Sequence, residues 1–133
     1  MKVIIDCNIW ISFLLSKQDF LLRRLLTDIR YDIYVCDDLL SEIINVSRRD
    51  KIRKRVSENE LQQLLKIIDA FCEHASINQI ATIRDPKDLY LLSLAESIGA
   101  YYLVSGDKDL TDLAQHRETR IIRLSEFKAI MGL

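Results

Sequence analysis

Residues 2–8 read KVIIDCN, in which three large aliphatic residues stand between a lysine and an aspartate. An apolar run without polar alternation predicts a strand that is buried on both faces of a sheet. Asp6 ends this run, so its carboxylate is expected at the carboxyl end of the strand. Open α/β sheets bind their ligands at that edge, which makes Asp6 the first candidate for a functional site.

The rest of the chain alternates between strand patterns and helix patterns. Further β-rich runs occupy residues 33–36, 102–105 and 119–123, and residues 75–77 form a candidate edge strand. Helical patterns cover residues 8–16, 19–29, 37–44, 57–71, 86–99 and 125–131, with a Ser57–Glu60 capping box opening the fourth and Ser125 capping the last. This alternation predicts an α/β fold in which helices cover both faces of a parallel sheet.

Composition narrows the class of protein. The 133 residues suit one domain, residues 1–133. The aspartate that interrupts the first apolar run excludes a signal peptide or a membrane span there. The three cysteines lie far apart without a CxxC pair, which argues against a zinc site and fits a reducing, cytoplasmic compartment.

Four acidic residues are placed to meet at one edge of the predicted sheet. Asp6 and Asp107 each follow a strand, Glu42 lies in the second turn of the helix after the second strand, and Asp88 lies in the first turn of the helix opened by Pro86. Two carboxylates about 4 Å apart repel by about 4 kcal/mol at an effective dielectric constant of about 20. A divalent cation removes this repulsion, and oxygen ligands favour Mg²⁺ or Mn²⁺.

Each of these acids taken alone has a simpler interpretation. Asp6 can be a polar residue that ends a strand, and Glu42 a solvated helix residue. Asp88 can cap its helix, and Asp107 can support a tight turn. Asp109 is interpreted as a helix cap or a supporting group rather than a ligand. The metal hypothesis therefore depends on the joint placement of the four carboxylates.

Four motifs in this order resemble those of the PIN-domain ribonucleases, in particular the VapC-like toxins of type II toxin–antitoxin pairs. They are Val3-Ile-Ile-Asp6-Cys-Asn8, Leu39-Leu-Ser-Glu42-Ile, Arg84-Asp-Pro-Lys-Asp88 and Val104-Ser-Gly-Asp107-Lys-Asp109. The resemblance spans nearly the whole chain. Two departures are conservative: Cys7 stands where the family more often has threonine, and Ser105 replaces a threonine but keeps the hydroxyl.

This resemblance implies a three-layer α/β/α fold around four or five parallel strands and RNA cleavage that depends on Mg²⁺ or Mn²⁺. It implies that Asp6, Glu42, Asp88 and Asp107 are the catalytic metal ligands. Asn8, Ser105 and Asp109 are implied as supporting residues. Products with 5′-phosphate and 3′-hydroxyl ends and a cognate antitoxin protein are expected by the same analogy.

Basic residues suggest where RNA phosphates bind. Residues 48–55 hold six basic residues in eight positions, Arg48 and Arg49 among them, and Arg84 and Lys108 flank the proposed ligands. The net charge is −1, so four metal-bound carboxylates would leave +3 (−1 plus 4) on the rest of the chain. A solvated charged surface, or neutralisation of nearby acids, explains these residues equally well.

Aromatic and aliphatic side chains on the first two helices have two interpretations. Trp10 and Phe13 are expected in the core rather than as base-stacking residues. The stripe Phe20, Leu21, Leu25 and Leu26 either completes the core or binds an antitoxin peptide or a second copy of the chain.

Three other functions are compatible with an acidic site on such a sheet. A receiver domain would need an acidic pair near the first strand, which Asp6-Cys7-Asn8 lacks. A haloacid-dehalogenase-type phosphatase would need a second aspartate where Asn8 stands. A non-catalytic PIN scaffold that binds RNA or protein is the third alternative, and metal binding distinguishes it from a nuclease.

Overall fold

The computed structural model describes residues 1–17, 19–78, 80–81 and 89–133. Its strands are β1 (Lys2–Ile5), β2 (Asp32–Val35), β3 (Glu73–His74), β4 (Tyr102–Val104), β5 (Gln115–His116) and β6 (Thr119–Ile122). Its helices are α1 (Cys7–Ser16), α2 (Asp19–Thr27), α3 (Asp37–Ser47), α4 (Asp50–Arg53), α5 (Glu58–Phe71), α6 (Leu89–Ile98), α7 (Lys108–Leu113) and α8 (Leu124–Met131). Over the described ranges, none of these helices has the length and apolar character that a bilayer crossing requires.

The strands form one sheet in the order β3-β2-β1-β4-β6-β5. Every neighbouring pair is parallel except β5 and β6, which form an antiparallel hairpin at one edge. The parallel sheet predicted from the sequence is confirmed, with five parallel strands. The hairpin strand β5 was not predicted, because two polar residues carry no apolar strand pattern.

The helices cover the two faces of this sheet. Helices α1, α3 and α5 contact one another and connect β1, β2 and β3, which run stepwise towards one edge. Helix α6 contacts β1 and leads to β4 on the other side of β1. Because crossovers between parallel strands are right-handed, connections that run in opposite directions along a sheet lie on opposite faces. The three-layer α/β/α prediction is thereby confirmed.

The first strand and the helix after it are fixed by burial. Val3, Ile4 and Ile5 are at most 1% exposed, as the uninterrupted apolar run predicted. Trp10 is also fully buried, and its indole Nε1 donates a hydrogen bond to the carbonyl oxygen of Ile5, 3.0 Å away. The core interpretation of this tryptophan is confirmed, and the hydrogen bond ties α1 to the end of the strand that carries Asp6.

The Ser57–Glu60 capping box predicted from the sequence is confirmed at the start of α5. Two other predicted boundaries differ from the structure. The edge strand predicted at residues 75–77 is wrong: β3 is Glu73–His74, and the Ala75 amide adds one further hydrogen bond to the Val35 carbonyl at 2.9 Å. The cap predicted at Ser125 is also wrong, because Arg123 occupies the N-cap position of α8.

Candidate metal site at the carboxyl ends of β1 and β4

The candidate site lies between β1 and β4, where the order in which the chain adds strands to the sheet reverses. From β1 the chain proceeds to β2 on one side, and later returns to β4 on the other side. The connections therefore diverge at the carboxyl ends of β1 and β4, leaving the crevice in which open α/β sheets bind ligands. Asp6 follows β1 here, and Ser105, Gly106 and Asp107 follow β4. We refer to this edge as the rim.

Asp6 is buried and held by two donors. It is 6% exposed and caps α1, with Oδ1 accepting a hydrogen bond from the Cys7 amide at 2.7 Å. Oδ2 accepts from the hydroxyl of Ser105 at 2.7 Å. Loss of solvent raises the pKa of Asp6; the two hydrogen bonds lower it, and the negative charges of Glu42 and Asp107 raise it further. Among the described residues, the main influences on the pKa of Asp6 do not include a positively charged side chain.

Ser105 joins the ends of the two central strands. Its fully buried hydroxyl donates to Asp6 and accepts from the Asp107 amide at 3.0 Å. Asp107 caps α7, and its Oδ1 accepts from the Asp109 amide at 3.0 Å. The cap is therefore Asp107, so the interpretation of Asp109 as a cap is wrong. Asp109 contributes a backbone amide here, and its side chain is exposed.

Glu42 approaches the rim from α3 and is held by a tyrosine that the sequence analysis missed. Its carboxylate Oε1 accepts a short hydrogen bond from the phenol of Tyr90, near the start of α6. Burial raises the pKa of Tyr90, and the hydrogen bond with Glu42 and the charges of Glu42 and Asp6 raise it further. Nothing in the sequence pattern distinguishes Tyr90 from the aliphatic core residues around it.

Cys7 is a further residue whose side chain interacts with Glu42. Its thiol is buried, and desolvation together with the negative charges of Glu42 and Asp6 raises its pKa to about 12. A thiol with such a pKa stays protonated at neutral pH and acts as a donor rather than as a nucleophile. Cys7 is 3% exposed, so its thiol packs inside the protein beside the proposed ligands.

The chemistry of these side chains suits a hard divalent cation. Asp6, Glu42 and Asp107 offer only oxygen atoms, and both other carboxylates raise the pKa of Asp6. However, among the described residues no three histidine, cysteine, aspartate or glutamate side chains are close enough to enclose a metal ion. Mg²⁺ normally retains several waters and takes one or two carboxylates, so an open arrangement fits it better than a closed cage.

The predicted substrate-binding residues have different surroundings. Arg48 is held by Glu58 at 2.6 Å, and with Arg53 and Gln62 it lowers the pKa of Glu58 to about 2. Lys108 pairs with Asp112 at 2.7 Å. Arg49 is exposed, and its positive charge lowers the pKa of Cys7, so the field of this arginine acts at the rim.

Three predicted site residues remain, and the structure adds little about their roles. Asn8 is exposed in the first turn of α1. Arg84 and Asp88 lie outside the described residues, so their predicted roles stay predictions.

Comparison with known proteins gives a family and a fold. A family model described as PIN domain matches residues 2–109. A search of curated proteins finds none that matches. Among solved structures, a chain of the "Crystal structure of VapBC2 from Rickettsia felis bound to a DNA fragment from their promoter" superposes with a TM-score of 0.60. The superposition covers 92% of this chain and 98% of that chain at 17% sequence identity, which shows a shared fold.

Proposed function

The chain belongs to the PIN domain family, and from this membership we propose that it is a metal-dependent endoribonuclease that hydrolyses RNA phosphodiester bonds. The observation that carries the proposal is the buried Asp6 at the rim, whose pKa is raised by burial and by two other carboxylates. Carboxylates arranged in this way cost stability unless a cation binds them. Carboxylates that raise one another's pKa are the kind of site that a nuclease recruiting Mg²⁺ or Mn²⁺ requires.

We propose Asp6, Glu42 and Asp107 as ligands of this cation, with Asp88 as a fourth from its motif. The hydrogen bonds of the described ligands support this assignment. The Cys7 amide and the Ser105 hydroxyl orient Asp6, and the Asp109 amide orients Asp107. Oxygens fixed before the cation arrives lose little conformational entropy when it binds.

We assign a separate role in hydrolysis to each residue at the rim. A bound Mg²⁺ or Mn²⁺ would supply the positive charge that lowers the pKa of the attacking water and offsets the charge of the phosphodiester. Asp107 is half-buried and its Oδ1 is engaged by the Asp109 amide, so we assign acceptance of the water's proton to its Oδ2. Ser105 keeps Asp6 and the Asp107 turn at a constant separation through its two hydrogen bonds.

Among the basic residues predicted to contact RNA, Arg49 is the one that we propose binds a phosphate group. Arg49→Ala is expected to raise KM for RNA several-fold and to reduce the slope of log affinity against log salt by about 1, because one phosphate contact is lost. The measurement is a series of steady-state cleavage and RNA-binding titrations at different salt concentrations. Arg48→Ala is the matched control, since Arg48 is held by Glu58. Equal salt slopes for the two variants would reject this assignment.

We also propose that the protein is the toxin of a toxin–antitoxin pair. The chain with the shared fold comes from a VapBC2 complex, and α2 presents Phe20 with 70% of its surface exposed. By contrast, Leu25 of the same apolar stripe is buried in the core. An exposed aromatic side chain on a helix gives a partner protein an apolar contact.

The nuclease proposal is tested by incubating single-stranded RNA with the purified protein in Mg²⁺ or Mn²⁺, beside the Asp6→Asn variant. Cleavage that requires the metal, leaves 5′-phosphate and 3′-hydroxyl ends and disappears in the variant would support it. Equal cleavage by both proteins would refute it. A non-catalytic scaffold would neither bind the metal nor cleave.

A further inference from the structure

We propose that Tyr90 is a positioning residue that holds Glu42 in the orientation needed to bind a divalent cation. The inference rests on the proposed metal-dependent function and adds to it a residue outside the four carboxylates. Tyr90 donates its phenol hydrogen to Oε1 of Glu42, although 48 residues separate the two in the chain. The hydrogen bond connects α6 to α3 across the carboxyl end of β1, and so joins the helical layers on the two faces of the sheet.

Glu42 needs a side-chain donor because of its position in a helix. Asp6 and Asp107 are N-cap residues, and free backbone amides at the starts of α1 and α7 orient their carboxylates. Glu42 lies in the second turn of α3, where the amides bond to carbonyls of the preceding turn. Its carboxylate must therefore be oriented by other side chains, and among the described residues the phenol of Tyr90 does this.

The geometry of a tyrosine suits this task. A phenol is neutral at pH 7 and donates one hydrogen bond, so Tyr90 binds Oε1 of Glu42 and does not itself engage Oε2, which can then face a cation. Its ring has only two side-chain torsions, whereas a glutamate side chain has three. The tyrosine therefore restricts the glutamate side chain at little cost in conformational entropy. Side chains that hydrogen-bond to a metal ligand hold it in its binding orientation, and their loss typically reduces metal affinity roughly 10- to 100-fold.

The test is the affinity of the metal-free protein for Mn²⁺, measured by isothermal titration calorimetry on wild type and Tyr90→Phe. Phenylalanine keeps the ring and its packing and removes only the donor. The expected result is about tenfold weaker Mn²⁺ binding by the variant. Tyr101→Phe is the matched control: Tyr101 directly precedes β4, at the edge of the sheet opposite the rim, so its Mn²⁺ affinity should equal that of wild type.

A double-mutant cycle shows whether Tyr90 acts through Glu42. Glu42→Ala removes both side-chain oxygens at this position but retains Asp6 and Asp107, so its weaker Mn²⁺ binding is still measurable at higher metal concentration. In that background Tyr90→Phe should cause no further loss, because the orientation of Glu42 no longer matters. A purely structural tyrosine would cause the same loss in both backgrounds. The unfolding temperatures of the metal-free variants confirm that each one is folded.

The possible outcomes separate this inference from the proposed function. If wild type binds Mn²⁺ and cleaves RNA while Tyr90→Phe binds Mn²⁺ equally or more tightly, the positioning role is wrong and the nuclease proposal stands. Additive losses in the cycle also overturn the positioning role. If wild type neither binds Mn²⁺ nor cleaves RNA, both proposals are wrong.

Discussion

Replacing Asp6 with asparagine is expected to reduce metal-dependent RNA cleavage by at least about 100-fold. Removal of an indirect partner of a metal ligand already costs about 10- to 100-fold, and Asp6 is itself a proposed ligand. The asparagine side chain keeps nearly the same size and can still accept from the Cys7 amide, but its NH2 group replaces the oxygen that accepts from the Ser105 hydroxyl, so one buried hydrogen bond is lost. The measurement is the initial rate of cleavage of a labelled single-stranded RNA in Mn²⁺.

The same substitution should leave the metal-free protein folded. Burial and two neighbouring carboxylates raise the pKa of Asp6, so ionised Asp6 is unfavourable at neutral pH without a cation. A neutral asparagine removes this penalty, which offsets the loss of about 1 kcal/mol from the hydrogen bond with Ser105, so the variant should unfold within about 5 °C of wild type without metal. Asp32→Asn is the control, since Asp32 is exposed at the amino end of β2, opposite the rim. Full activity in Asp6→Asn, or lost activity in Asp32→Asn, would contradict this account.

Divalent metal is expected to stabilise the folded protein by a large and reversible amount. A ligand that binds only the folded state at about 100 times its Kd adds about 2.7 kcal/mol to the free energy of unfolding. For a chain of this length that corresponds to a rise of about 10 °C in the unfolding temperature. The measurement is a calorimetric scan of wild type with Mn²⁺, with Mg²⁺ and with an excess of EDTA.

Two controls distinguish binding at the rim from general effects of salt. Monovalent salt at the same ionic strength screens surface charges without occupying the site, and should give little stabilisation. Asp107→Asn removes one proposed ligand but can still accept from the Asp109 amide, so it should lose most of the metal-dependent rise. An equal rise in wild type and in this variant would locate the metal elsewhere.

The sheet was predictable because its central strands carry strong local signals. Val3, Ile4 and Ile5 are apolar in an unbroken run, and the structure buries all three in the middle strand. Asp6 and Asp107 follow strands that are adjacent and parallel, so the edge at which they lie followed from the pattern alone. By contrast, β5 has two polar residues, and its pairing depends on a hairpin that only the tertiary structure defines.

Ser105 was implied as a supporting residue by the family resemblance and Tyr90 was not predicted, but in neither case did the sequence give the contact itself, because each joins distant segments. The hydrogen bond of Ser105 to Asp6 spans 99 residues and that of Tyr90 to Glu42 spans 48. Neither partner belongs to a periodic pattern that reveals its role. Likewise, the basic run at residues 48–55 suggested equivalent phosphate contacts, whereas Glu58 engages Arg48 and Arg53. Charge in a sequence gives the number of basic groups but not which of them already have partners.

The most direct test of the central claim is a crystal structure of the protein with Mn²⁺, recorded with anomalous scattering at the manganese edge. We expect an anomalous peak at the rim, with carboxylate oxygens of Asp6 and Asp107 bound to the ion directly or through one water. A protein that cleaves RNA with Mn²⁺ but shows its anomalous peak away from these two residues would contradict the account.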